Sequence, residues 1–192
     1  MQRQKNEIID FFQTYIFGFI FKDIKNCINA RANYVVALSL LSYTEYIGGL
    51  ISGNLGLRDK SKENFYAAIE YFSNEYKELD KKIEVEFTDD KGKINDKGIY
   101  AIFRCGLVHE YFIRGAKTTV NNNPYSSHTN HIGIEVHDTP TGKLLIFYTN
   151  EYFHDFQTAV DKIYKLLIVD NNPILLDGFN KSLDRLEGRK IL

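Results

Sequence analysis

Arg104 and His109 are the two side chains whose types and spacing suit chemistry. They bracket the run Arg104-Cys105-Gly106-Leu107-Val108-His109. An imidazole titrates near neutrality and can take or give a proton. A guanidinium presents a fixed fork of donors that matches the oxygens of a phosphate or a carboxylate. The pair could therefore move a proton beside an anion that the arginine holds. The structural alternative is ordinary: the arginine pairs with an acid such as Glu45, and the histidine is a hydrogen-bonded core residue.

The segment that must position them reads as a helix over residues 98–114. At about 100° per residue, the two side chains stand about 140° apart around the axis and about 7.5 Å apart along it. Ala101, Cys105, Val108 and Phe112 fill the arc between them, and Ile99, Phe103, Leu107 and Ile113 fill the opposite arc. A helix apolar on nearly every side is central in its fold or covered by a partner on its second face. Gly106 costs about 1 kcal/mol relative to Ala in mid-helix but permits close backbone approach. Both features predict a second subunit packed here.

The rest of the chain reads mostly as helices around this one. Ile8, Phe11, Phe12, Tyr15, Ile16, Phe19 and Ile20 give helical spacing over 5–24, and Val35 to Leu50 give it over 31–52, ended by Gly48, Gly49 and Gly53. A third helix is expected from Ser61 through Leu79, followed by a polar connection over 84–97. Residues 115–130 read as a long loop. Two apolar runs around His137-Asp-Thr-Pro-Thr-Gly142 predict a β-hairpin near 131–149. A fifth helix over 151–168, with Asn150 as its cap, is expected to end at Pro173, with one more amphipathic helix after it. The expected fold class is mainly α: a helical bundle with an inserted β-hairpin, in one domain spanning 1–192.

Composition narrows the function classes. The chain has 192 residues, 44% of them hydrophobic and 26% charged, which is the balance of a globular protein. Its net charge of −1 lacks the basic excess of a protein that coats nucleic acid, leaving room only for a local basic site. Two cysteines, Cys27 and Cys105, are too few for a disulfide framework and lack metal-ligand spacing, so a reducing cytoplasm is expected. His128, His131 and His137 lie close together without a cysteine, and neither a metal nor a cofactor is expected. The apolar run from Tyr15 to Phe21 is far shorter than the ~20 residues that span a bilayer, so no membrane partner is expected.

An Arg-x4-His segment late in a helical bundle, here Arg104-Cys-Gly-Leu-Val-His-Glu-Tyr111, resembles the HEPN superfamily. An apolar helix carrying one acid, Glu45, and a Phe-rich helix from Phe65 to Tyr76 precede it in the matching order. The resemblance covers roughly residues 30–115 in layout and about eight residues in motif. It implies a metal-independent ribonuclease of the toxin or defence type, acting on RNA as a homodimer with two motifs facing each other, and a possible antitoxin or regulatory protein as partner. Carried over, Arg104 and His109 are the catalytic pair. Glu45, Cys105 and Glu110 would support them, and Arg114 and Lys117 would touch RNA. One position departs: Cys105 stands where active members often carry Asn, Asp or His. The alternative reading is a non-catalytic helical module that binds a nucleotide or a protein partner.

Overall fold

Ile8, Phe12, Ile16, Ile20 and Ile24 recur at every fourth position, and all five are buried. On an α-helix a four-residue repeat drifts about 40° per step, so this stripe would wander about 160° from its start. The chain answers by widening the helix. Between α1 (Lys5–Phe11) and α2 (Phe21–Asn29) the nine residues Phe12–Ile20 wind as a π-helix, and the three segments run without a break. π-Helical winding, with hydrogen bonds to the fifth residue back, turns less per residue and keeps the stripe on one side. Gly18 fits this geometry, since a Cβ there would lie 2.7 Å from the Gln13 carbonyl oxygen five residues before it. Tyr15 and Phe19, expected on the apolar side, are instead 50% and 56% exposed.

This computed structural model describes residues 5–89, 92–107, 117–121, 132–140 and 142–188. The chain is mainly helical, with a β-hairpin inserted between helices. After α2 come α3 (Asn33–Ser52), α4 (Ser61–Ile69), α5 (Asn74–Lys82), β1 (Glu84–Asp89), β2 (Gly92–Lys97), a π-helical turn at Tyr100–Cys105, β3 (Lys117–Asn121), β4 (Ile134–Thr139), β5 (Gly142–Tyr148), α6 (Thr149–Ile168) and α7 (Pro173–Glu187). These fall into two compact units. One holds residues up to 25, 43–72 and from 156; the other holds 26–42 and 73–155, so α2, α3 and α6 each contribute to both.

The first unit is an aromatic and aliphatic helical core. Phe12 stacks on Phe179 with centroids 6.0 Å apart and meets Tyr164 at 5.1 Å, while Phe21 meets Phe156 at 6.0 Å. Glycines let the helices touch: a Cβ on Gly48 would lie 1.6 Å from the Asn64 carbonyl oxygen on α4, and one on Gly178 would lie 1.9 Å from that of Ile51. α3 ends as its glycines predict, with Gly53 at φ 76 and the Asn54 N–H donating to the Gly49 carbonyl at 3.0 Å. Side chains on α7 complete the cap. Ser182 Oγ donates to the same Gly49 oxygen at 3.0 Å, and Arg185 donates to the carbonyls of Gly53 and Leu55 at 2.9 and 2.8 Å. Among the described residues one helix, α3, is long and apolar enough to cross a membrane, and more than half of it is buried as in a core helix.

Several expectations are corrected. The helix expected from 61 to 79 is two helices, because Ser73 swings to an extended ψ of 158° and starts α5 anew. Residues 84–97, expected as a polar connection, form an antiparallel β-hairpin with Glu84 opposite Lys97, whose charges meet at 3.2 Å. The expected loop over 115–130 contains β3. The expected hairpin forms between β4 and β5, and β3 adds a parallel third strand beside β5. α6 starts at Thr149, so Asn150 lies within its first turn rather than at its cap. Pro173 opens α7 at its first position, with Asn172 Oδ1 accepting from the N–H groups of Ile174 and Leu175, both at 3.1 Å.

In the second unit a buried polar knot ties the hairpin to helices. The buried Tyr76 hydroxyl donates to Asp155 Oδ2 at 2.7 Å and accepts from the Gly133 N–H at 2.9 Å. Burial, then the Asp155 charge beside it, pushes the Tyr76 phenol well above its ordinary range. In the first unit burial, then the neighbouring Tyr15, pushes Tyr46 up to about 12. An unfolded tyrosine ionises near pH 10, so between there and about 12 the unfolded chain binds fewer protons than the folded one. This contribution to stability is therefore fully present below pH 10 and is lost as pH rises. Urea unfolding followed across this window should show a fall of about 2–3 kcal/mol from Tyr46 alone. The slope should be shallower in Tyr46→Phe; equal slopes would refute the assignment.

Candidate active site

The helix that carries Arg104 is fixed at its start by two neighbours in the same unit. Gly98, at φ 83, turns the chain out of β2 and donates its N–H to the Ile83 carbonyl at 3.0 Å. The next N–H, from Ile99, donates to Asp80 Oδ1 at 2.6 Å, and a carboxylate there also suits the positive end of the helix dipole. From there to Leu107 the described helix has two faces. Ile99, Ile102, Phe103, Gly106 and Leu107 are buried, with the Phe103 ring 6.0 Å from that of Phe147 on β5. Tyr100, Ala101, Arg104 and Cys105 are only half-buried. The nearly all-apolar helix expected from the sequence thus has one face covered within the chain, Gly106 included. Its open face is the one that bears Arg104.

The winding changes at this place. Residues Tyr100–Cys105 form a π-helical turn inside the helix. A π-turn costs hydrogen-bond geometry, and short ones occur frequently at functional sites. Within it the Arg104 guanidinium carbon lies 5.9 Å from the centroid of the Tyr100 ring, inside cation–π range. Sequence reasoning missed Tyr100. Its signal was an aromatic four residues before an arginine on one helix, a spacing that brings side chains together.

The other expected residues are placed as follows. Cys105 follows Arg104 on the open face and is not in a disulfide. Glu45 is half-buried on α3 in the first unit, and Arg104 belongs to the second. Lys117, expected in a loop, opens β3 instead. His109, Glu110 and Arg114 lie outside the described residues, as do His128 and His131. Among the described residues no group of three or more His, Cys, Asp or Glu is arranged to hold a metal ion. A depression of about 530 Å³ runs along α7 past Asp177, Lys181 and Asp184, and one of about 260 Å³ lies at Asn150, Glu151, His154 and Asp155. Neither is lined by Arg104 or Cys105.

No family model matches this chain, and no curated protein or solved structure matches it either.

Proposed function

We propose that this chain is a metal-independent endoribonuclease of the toxin or defence type, HEPN-like in its helical core, with Arg104 and His109 as its catalytic pair. The observation that supports this reading most is Arg104 itself. It stands on the half-open face of an otherwise buried helix, on a π-turn, five residues before the histidine of its motif. In the reaction His109 takes the proton of an RNA 2′-hydroxyl, and the freed oxygen attacks the adjacent phosphorus. The phosphorus–5′-oxygen bond breaks, and a second imidazolium returns a proton to that leaving oxygen. The products are a 2′,3′-cyclic phosphate and a 5′-hydroxyl. Arg104 holds the phosphate oxygens as charge gathers on them.

One chain supplies one such histidine, so the reading takes a homodimer, with a second copy bringing the other Arg–His pair to the same cleft. Glu110 orients the pair, Cys105 lines it, and Arg114 and Lys117 bind the RNA backbone. An antitoxin or other regulatory protein would hold the enzyme in check in the cytoplasm. The test is incubation with single-stranded RNA in excess EDTA. The expected result is cleavage that leaves cyclic phosphate ends. Cleavage abolished by the chelator, or equal cutting of DNA, would refute the mechanism.

A further inference from the structure

Ile8, Phe12, Ile16, Ile20 and Ile24 hold one side of the first helix against the core at a strict four-residue interval. The residues two positions further on therefore lie on the opposite side. That outer row is Asp10, Thr14, Gly18 and Lys22, with an acid at one end, a base at the other and two small residues between them. Asp10, Thr14 and Lys22 are exposed, and among the described residues neither Asp10 nor Lys22 has an ion-pair partner. Beside this row run Phe11, Tyr15 and Phe19, with successive ring centroids 5.1 and 6.0 Å apart. Phe11 is held against Phe179, whereas Tyr15 and Phe19 are exposed. Single exposed rings are ordinary on a surface; two in contact, turned outward by the winding of their helix, make an apolar patch.

We propose that this face is a contact between two copies of the chain, paired antiparallel across a two-fold axis at the level of Ile16. A two-fold contact must be complementary to itself. Asp10 and Lys22 stand equally far from Ile16 along the helix, so antiparallel pairing sets Asp10 of each copy opposite Lys22 of the other. Thr14 and Gly18 are also equidistant from it, and the missing side chain of Gly18 lets the two backbones approach. The aromatic rows then lie on the same side of the pair, where Phe19 of one copy reaches between Phe11 and Tyr15 of the other. Burial of these rings supplies the affinity, and the two exposed ion pairs set the orientation more than they bind. An anionic surface such as lipid or RNA would meet Asp10 as well as Lys22, whereas a second copy presents the same charges in reverse order. The inference goes beyond the ribonuclease reading and does not depend on RNA cleavage.

Sedimentation equilibrium over a dilution series, with a thermal melt of each variant, tests it. The wild type is expected to be a reversible dimer. Asp10→Lys and Lys22→Asp are each expected to raise the dissociation constant about 5- to 50-fold, because each sets like charges together twice. The double variant Asp10→Lys/Lys22→Asp should return to within about threefold of the wild type. Within one copy the two residues are twelve positions apart, so that rescue passes between copies. Tyr15→Ser combined with Phe19→Ser should be monomeric with little change in melting, since both rings are exposed. A wild type that is monomeric throughout, including one that instead floats with vesicles of phosphatidylcholine and phosphatidylserine, overturns the inference. So does a dimer that survives the loss of both rings, or one in which the single swaps have no effect or the double swap restores nothing. Such a dimer would leave the ribonuclease reading standing.

Discussion

Gly48→Ala should be strongly destabilising. The added methyl would lie 1.6 Å from the carbonyl oxygen of Asn64, 2.7 Å from its carbon and 2.9 Å from the Ala68 nitrogen. All three are backbone atoms of α4, so no side chain can rotate away, and the two helices must part. Overpacking that a core can absorb costs about 1–3 kcal/mol, and a clash with fixed backbone belongs at or above the top of that range. For a domain of this size about 3 kcal/mol lowers the melting midpoint by about 6–12 °C. Gly188→Ala is the control, since its methyl would come no nearer than 3.2 Å to the Asp184 oxygen and 3.9 Å to that of Arg185. A thermal melt of both variants checks the account. Equal midpoints would mean that α3 and α4 do not approach as closely as described.

The parts of this fold that the sequence disclosed are those set by local pattern. The β4–β5 hairpin falls within the expected 131–149, although Asp138, Thr139 and Gly142, expected in its turn, are paired in its strands, and Gly53 marks the end of α3 by the conformation it alone adopts easily. The hidden parts follow from features that local pattern does not carry. β1 and β2 are rich in Glu, Lys and Asp, so their strand character shows only in the pairing of Glu84 with Lys97. β3 is five residues that become a strand by lying beside β5, a partner more than twenty residues away. In the first helix an assumed 100° step put Tyr15 and Phe19 with the core, whereas π-winding puts the strict four-residue stripe inside and those two rings outside.

The candidate site was legible to the same degree. Arg104 was found by its spacing from His109, and the structure adds which face it occupies. Tyr100 was legible too, as an aromatic four residues earlier on the same helix, but its meaning depended on knowing that Ile99, Ile102 and Phe103 turn inward and Tyr100 does not.

On the ribonuclease reading, His109→Ala carries the largest expected effect on activity. Removing a positioned acid–base group costs about 10²- to 10⁴-fold in rate. Truncating a buried, hydrogen-bonded histidine would instead cost about 1–3 kcal/mol by stranding its partner, and so shift the midpoint by about 2–12 °C. His109 is flanked in sequence by Glu110 and followed by Arg114, a more polar neighbourhood than that of Phe103 or Leu107. The variant is therefore expected to melt within a couple of degrees of the wild type and to keep the wild type's oligomeric state. Arg104→Ala should lose cleavage as well, with a larger cost in stability, because the arginine also packs against the Tyr100 ring.

The most direct test of the ribonuclease reading is cleavage of one RNA oligonucleotide in EDTA, measured beside a thermal melt on the same preparations of wild type and His109→Ala. The account predicts that the wild type cleaves and leaves 2′,3′-cyclic phosphate ends, while the variant melts like the wild type and does not cleave. A wild type that cleaves no RNA, with a variant that loses many degrees of stability, would contradict it and make His109 a structural residue.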